Sequence, residues 1–395
     1  MKRTLWVITE LFPPEETSTG FIMGEIANVM TKKYDVKVIC GPAVYDASKM
    51  QDPNGKISVD ESIEIIRVNS VPEDKSSNLS RVKKFILMSL QFYRVAKVCI
   101  HEGDHVLMVT NPFPLIILMG YLRRRRRFTM SMLVHDIMPE SLFTDIKIPS
   151  PVYNLALNVF NKAYASTDQL ISIGRDMTEV LEEKCKSYSH RPVISLIENW
   201  GDVENIHPSE LFESEKITIQ YAGNIGNAQG VGEFVDVLHE ACCKDVAFSI
   251  WGTGSAETQI KEKVKEYDMS DCVHFHGVYL RSQQQMVLNS CDIALVRLVE
   301  GMYGLGVPSK TYNILAAGKP ILYVGEENTE VWRMVKENGN GVCFEPNDTL
   351  GLKIFLQKLN TDYRTTLRAM GAISRKLAED KYSKGAILKK YVDLI

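Results

Sequence analysis

The 395-residue sequence has no apolar run long enough to cross a bilayer. Its strongest internal stretch, Pro112 to Leu122, is about half of the ~20 residues a spanning helix needs. The patch Leu5 to Ile8 behind Lys2 and Arg3 is cut by Glu10 and the Pro13-Pro14 pair, too short for a secretory signal. Eight cysteines are scattered with no Cys-x-x-Cys among them, which argues against a disulfide framework and points to a reducing cytosol. Charge of one sign is lacking too: a formal net charge of -3 argues against a dedicated nucleic-acid binder. There is no Walker loop, nucleophile elbow or Ser-His-Asp order. His274 and His276 share a strand face, but no carboxylate or cysteine pattern completes a metal site, and packing explains them better. Short repeats and low-complexity segments are missing as well.

What is present is the composition of an ordinary globular protein, 45% hydrophobic and 24% charged, at a length that suits two domains of roughly 150–200 residues. Strand-like runs alternate with amphipathic helical runs throughout, the pattern of parallel sheets covered by helices and so of an α/β protein. The first half supplies TLWVIT, VKVIC, EIIRV, VLMVT, FTMSMLV, LISI and ISLIE. A restart follows with ITIQYAG, VAFSIWG, VHFHG, IALVRL, PILYVG and GVCFEP. Between the two, Asp202 to Glu215 is polar, contains Pro208 and keeps no period, so it reads as the hinge. This places a first domain over 1–202, a second over 203–375, and a closing helical segment over 376–395 that returns to the first.

Ligands of open parallel sheets sit at the carboxyl ends of strands, so the residues after each strand carry the functional reading. After the first strand, Pro13-Pro14 stiffens the chain and Gly20 turns it into a helix expected from about Phe21 to Lys33. Free amides there can hold an anion or a sugar hydroxyl, and a merely structural turn uses the same residues. After FTMSMLV come His135, Asp136 and, past Pro139, Glu140. In the second half, Gly223, Asn224, Gly226, Gln229 and Gly230 follow a strand directly, and Gly252 and Gly254 repeat the theme one strand along, permitting close backbone approach to a ligand.

The segment GLGVPSKTYNILAAGKPILYVG is the most informative. Pro308 and Ser309 start a short helix, Gly318 caps it and Pro320 stops it, so it spans about Ser309 to Ala317. Lys310 then lies in the first turn, where the helix dipole disfavours a cation by about 0.3–1 kcal/mol and a bound diphosphate reverses that cost. Ser309, Lys310 and Asn313 share a face; a solvated surface lysine is the plain alternative. Arg297 ends IALVRL and points to the same ligand, or else to an edge ion pair with Glu300. Arg281 is a weaker candidate. Arg123, Arg124, Arg125, Arg126 and Arg127 read as solvated surface, or as a contact with an anionic membrane at about 1 kcal/mol per residue.

Taken in order, FPPE, HDIMPES, IENWGD, YAGNIGNAQG and VPSKTYNILAAGKPIL resemble the motif series of the GT-B-fold retaining glycosyltransferases of family 4, in their bacterial surface-polysaccharide subgroup. The resemblance covers nearly the whole chain. It implies two Rossmann-like domains facing each other across a cleft. By the same resemblance a nucleotide-diphosphate sugar, in the family's usual UDP form, is held by the second domain and a glycan or polyprenyl-diphosphate-linked acceptor by the first. The donor side takes Gly223, Asn224, Gln229, Gly252, Gly254, Ser309, Lys310, Tyr312 and Asn313, with Gly277 and Val278 beside the base. Gly20, His135 and Glu140 line the sugar and acceptor side. Lys310, Arg297, His135 and Asp136 carry the chemistry, with no metal or other cofactor and no nucleic acid. The implied location is cytoplasmic, on or near the inner face of the membrane. Two departures stand out: Asn224 and Gln229 replace an Arg and a Lys of many members, and Leu305 and Asn313 replace a glutamate pair. They keep two rivals open, a non-hydrolysing sugar-nucleotide epimerase, for which Asp136 and Glu140 are the obvious carboxylates, and a non-catalytic sugar-nucleotide-binding protein.

Overall fold

In a computed structural model the described residues are 2–15, 17–43, 58–72, 78–143, 148–209 and 214–395. The chain divides into two compact units, one of Met1–Glu198, Gly304–Gly306 and Leu388–Ile395, the other of Asn199–Tyr303 and Val307–Ile387. The passage between them at 198 and 199 falls just before the expected hinge, of which residues 210–213 lie outside the described residues.

Unit 1 runs β1 (Thr4–Thr9), α1 (Ser18–Met30), β2 (Asp35–Cys40), β3 (Glu64–Arg67), α2 (Asn78–Cys99), β4 (His105–Val109), α3 (Leu115–Arg126), β5 (Thr129–Val134), α4 (Glu140–Phe143), α5 (Ser150–Ala165), β6 (Gln169–Ser172), α6 (Arg175–Cys185) and β7 (Val193–Leu196). Its seven strands form one parallel sheet in the order β3-β2-β1-β4-β5-β6-β7. The central strands are buried on both faces, β4 throughout its length. That is why they read as unbroken apolar runs rather than as alternation. The carboxyl terminus belongs to this unit: Lys33 Nζ donates to Val392 O at 3.2 Å and Lys390 pairs with Glu198 at 2.7 Å.

Unit 2 runs β8 (Ile217–Ala222), α7 (Val231–Ala241), β9 (Val246–Trp251), α8 (Glu257–Glu266), β10 (Val273–Gly277), α9 (Gln284–Asn289), β11 (Ile293–Arg297), α10 (Lys310–Ala316), β12 (Ile321–Val324), α11 (Glu330–Asn338), β13 (Gly341–Phe344), α12 (Thr349–Lys358) and α13 (Arg364–Asp380). A last helix, α14 (Lys384–Leu394), begins here, so the closing segment is two helices broken at Lys381–Ser383. The six strands are again all parallel, in the order β10-β9-β8-β11-β12-β13. Ile219, Phe234, Phe248, Leu295, Leu322 and Leu356 lie in its core. All thirteen strand runs named from the sequence form strands, within a residue or two at their ends.

Candidate functional site

In each sheet the chain order reverses once, between β1 and β4 and between β8 and β11. Loops leave such a pair of strands in opposite directions, and a crevice opens at their carboxyl ends. His135 and Asp136 lie at the first of these places, and Lys310 with the Gly223 turn at the second.

At the reversal in unit 1 a cavity of about 160 Å³ is lined by Thr9, Glu10 and Leu11 after β1, Val109 and Asn111 at the end of β4, and His135 and Asp136 after β5. Thr19 of α1 and Phe85 of α2 complete it. His135 Nε2 is buried and meets no hydrogen-bonding partner among the described residues. Burial holds the imidazole down to about 4, so the ring is neutral at pH 7. The Asp136 carboxyl is pushed up to about 6 by burial, and the Asp136 backbone forms an antiparallel bridge with Gly306. Among the described residues, two carboxyl groups and no lysine or arginine line the cavity. Such a site repels anions and suits neutral hydroxyls or amides, because a neutral imidazole and a carboxylate supply donor and acceptor positions.

Two expectations for this unit need correction. Gly20 does not precede its helix. α1 starts at Ser18 with Thr17 as its cap, and Thr17 Oγ1 accepts from Gly20 N at 3.1 Å, so that amide is already satisfied. Glu140 is not a free carboxylate: Lys184 Nζ donates to it, and both are largely buried. Asp136 is therefore the less constrained of the two groups that an epimerase would need. Glu10, 5% exposed, was legible only as a break in an apolar run, and Asn111 not at all.

The arginine run also divides. Arg123 to Arg126 form the last turn of α3, where cations favour the helix dipole, and Arg127 caps it in the left-handed region at φ 56°. Arg123 is not solvated surface: its guanidinium grips Asp168 through two nitrogens and donates to Ser166 O at 3.0 Å, holding α3 to the start of β6. Arg125 stacks on Tyr121 with 4.4 Å from guanidinium carbon to ring centre, and Arg126 donates to Lys97 O at 3.1 Å. Arg124, Arg125 and Arg127 are exposed.

At the reversal in unit 2, Lys310 opens α10 and lays Nζ over the Tyr221 ring at 3.4 Å from its centre. Nζ is buried, and no group among the described residues hydrogen-bonds it. Burial alone pulls the amine down to about 7. Gly223 is its neighbour in the turn after β8: a Cβ added there would lie 3.6 Å from Nζ. Inside that turn Tyr221 donates its hydroxyl to Asn224 O at 2.5 Å, and Gln229 Oε1 accepts from Gly226 N at 3.0 Å and from Asn224 Nδ2 at 3.4 Å. Gln229 thus braces the loop.

The glycines here have a structural use that spacing alone did not show. Gly252 sits at φ +123°, and a Cβ on it would come within 1.9 Å of Gly223 O, so two adjacent strand-end turns touch each other. Gly254 packs on Ile225 in the same way, and Gly252 N donates to Gly277 O at 2.7 Å. Val278 is exposed, beside a cluster in which Trp251 stacks on His276 at 4.3 Å and meets Tyr279 edge-on.

Arg297 is 4% exposed and already engaged. Its guanidinium pairs with Glu233, not Glu300, and donates to Gly230 O. A side chain on Gly230 would collide with it at 1.4 Å, which is a reason for glycine there. Asn313 is likewise committed, since its Oδ1 accepts from Asp202 N at 2.9 Å. Tyr312 is wholly buried and packs edge-on against Tyr382 at 5.2 Å, a core position rather than a loop one. Ser309 flanks α10 without a side-chain cap bond, and Arg281 lies 3.8 Å from Asp202. Of the group expected to converge with Lys310, only the Gly223 turn is brought against its amine.

Residues 202–376 match the model of the family Glycosyl transferases group 1. The chain is 29% identical over 398 residues to the probable glycosyltransferase WbjE of Pseudomonas aeruginosa, covering 98% of this chain and 96% of that protein. Among solved structures, Anabaena HepE in complex with UDP superposes with a TM-score of 0.69 at 11% identity, over 100% of this chain and 99% of that one. WaaG, a glycosyltransferase involved in lipopolysaccharide biosynthesis, does so with a TM-score of 0.67 at 13% identity, over 99% of each chain. At such identities the structural likeness speaks for the fold. Residues 202–376 are thus similar to a glycosyl transferases group 1 domain, and the chain folds as two parallel-sheet Rossmann-like units like its structural neighbours of the GT-B fold.

Proposed function

We propose that the protein transfers a sugar from a nucleotide diphosphate, of the UDP kind, to a glycan acceptor of surface polysaccharide synthesis. The family match supports glycosyl transfer, and the UDP-bound neighbour supports the donor class. The observation that carries the reading is the buried, uncompensated Lys310 amine against the glycine turn after β8. An unpaired buried cation is costly, and a diphosphate is the partner that this reaction provides. With it bound, Lys310 stabilises the negative charge that grows as the bond between the anomeric carbon and the diphosphate oxygen breaks. The new bond forms to the acceptor oxygen, whose proton passes to the departing diphosphate. The cavity of His135 and Asp136 suits a sugar ring by its neutral and acidic lining. Retention of configuration follows from the family resemblance, and a lipid-linked acceptor from the subgroup.

The test is a melting-temperature screen of UDP, GDP, ADP and their sugars, since ligands of the folded state raise stability by mass action. UDP compounds are expected to shift the wild type and not Lys310→Ala. In turnover Lys310→Ala is expected to lose at least two orders of magnitude, the ~2.7–4 kcal/mol scale of one preorganised contact. A folded variant with unchanged turnover overturns the assignment. Epimerised donor in the absence of any acceptor would favour the epimerase instead.

A further inference from the structure

Unit 2 holds a cavity that the proposed chemistry does not use. Its volume is about 830 Å³, within the range of small-molecule sites, and every residue lining it belongs to this unit. It lies at the wrong edge of the sheet for the donor. Lys319 and Pro320 come immediately before β12 and Asp292 immediately before β11, whereas Lys310 and the Gly223 turn stand at the carboxyl edge. All six strands are parallel, so the four residues of β12 alone set the two edges roughly 13 Å apart.

A cation in the lining is short of partners. Lys319 is 4% exposed, and its Nζ donates to Asn289 O at 3.3 Å. An ammonium can donate three hydrogen bonds, and no other group among the described residues accepts one from this lysine. Burial pulls the amine below the ordinary lysine range; Cys291 and Asp292 oppose this, and Arg368, which lines the same cavity, adds to the fall. Among the described residues Asp292 is the one acid in the lining, and it is committed elsewhere. Its Oδ1 accepts from Arg364 Nε at 2.8 Å and its Oδ2 from Thr218 N at 2.8 Å.

The end of α10 offers Lys319 no counter-charge either. Ile314 O accepts from Lys319 N at 3.1 Å, Leu315 O from Gly318 N at 2.9 Å and Ala316 O from Arg375 Nη1 at 2.7 Å. Arg375 is spent on Ala316, Ile206 and Glu379, so it shapes the wall and holds it in place. The rest of the lining joins small residues, Gly371 and Ala372 of α13, to apolar surface from Leu367 and Pro320.

We propose that this cavity binds a small phosphate monoester other than the sugar donor, with its phosphate on Lys319 and Arg368 and its organic part against Leu367 and Pro320. A buried ammonium with unused donors calls for an oxyanion. A phosphate monoester presents several acceptor oxygens and close to two negative charges, so one group can meet both basic residues. Inorganic phosphate would leave most of the volume to water, whereas a body of sugar size occupies it. Neither Lys319 nor Arg368 belongs to the donor reading, so the two sites can be tested apart. A purely structural Lys319 would only cap α9, whose last carbonyl is that of Asn289.

The test is titration calorimetry of the full-length protein with ribose-5-phosphate, ribose and UDP. Wild type is expected to bind ribose-5-phosphate at millimolar concentration or below, equally well in the presence of UDP, and not to bind ribose. Lys319→Met is expected to weaken that binding about tenfold or more, the scale of one charge-assisted hydrogen bond. Ala372→Trp, at an exposed position on α13, fills the cavity without touching the core and should do the same, which keeps the outcome decisive if Lys319→Met does not fold. Lys310→Ala should lose UDP and keep ribose-5-phosphate. No binding of ribose-5-phosphate to the wild type overturns the proposal, and so does binding unchanged in both Lys319→Met and Ala372→Trp. Equal binding of ribose would remove the role of charge, and competition by UDP would move the phosphate to the donor edge; either overturns it. Failure of UDP to bind while ribose-5-phosphate still does would count against the donor reading alone.

Discussion

Among the described residues, Glu10 and Asp136 line the cavity at the reversal of the first sheet with a neutral His135 and no basic residue, while at that of the second Lys310 lies buried beside a glycine turn with no acid to meet it. The two sheets share strand order and parallel sense. Topology therefore supplies the crevice in both, and a few loop residues set its sign. An edge with carboxyl groups and a neutral ring selects hydroxyls, whereas one with a bare amine selects an anion.

The largest effect expected bears on whether Arg297 belongs with Lys310 in that contrast. Its guanidinium is buried while its partner Glu233 is 61% exposed, so the pair is asymmetric. Removing the acid strands a buried cation; removing the arginine leaves a carboxylate that water can solvate. Glu233→Ala is expected to lower unfolding free energy by about 3 kcal/mol, and Arg297→Met by clearly less. Urea denaturation reads both. Equal stability of wild type and Glu233→Ala would mean that the guanidinium does not depend on this partner, and would return Arg297 to the donor-binding group.

Next in size is Asp136. A carboxyl held up at about 6, against 3.8 in the open chain, is penalised when ionised. The folded protein keeps the proton longer, so this group's cost is absent below about pH 4 and complete above about pH 6. Asp136→Asn is expected to match the wild type in stability at pH 4 and to exceed it by about 1–2 kcal/mol at pH 7. A gain in stability accompanied by loss of turnover would identify a carboxylate kept for function. A variant less stable at pH 7 would place Asp136 among the groups that hold the fold.

The fold was legible because parallel strands buried on both faces leave uninterrupted apolar runs, as in VLMVT and IALVRL, with helical periodicity between them. Lys310 was legible because proline, serine and glycine mark the ends of its helix. What escaped was everything set by contacts distant in sequence. Nothing local shows that Arg123 reaches Asp168, that Arg297 reaches Glu233, or that Asn313 holds Asp202. The two glycine-rich turns after β8 and β9 had an incomplete reason in the sequence, since Gly252 is also needed to let one turn pass the next.

The smallest effect tests the anion edge most directly. Lys310 loses its proton near pH 7 because burial disfavours the ammonium and no acid offsets it. For folding, the penalty is complete below about pH 7 and is relieved as pH rises toward 10.5, because the open chain holds its proton over that range. For binding, the sign is opposite. A diphosphate beside Nζ restores the missing counter-charge and raises the affinity of the amine for its proton, so above about pH 7 UDP binding draws a proton from solution. Terminal phosphate oxygens, with a second ionisation near pH ~6, are already fully charged at pH 8 and do not obscure the exchange. Affinity for UDP is then expected to fall by up to about tenfold per pH unit above 7, or ~1.4 kcal/mol, until the bound amine itself titrates. Titration calorimetry at pH 8 in two buffers of different ionisation enthalpy measures the proton count directly. Wild type should approach one proton per UDP and Lys310→Met none. Binding of UDP to the wild type without proton uptake would show that the diphosphate rests elsewhere, and the contrast between the two sheet edges would lose its basic member.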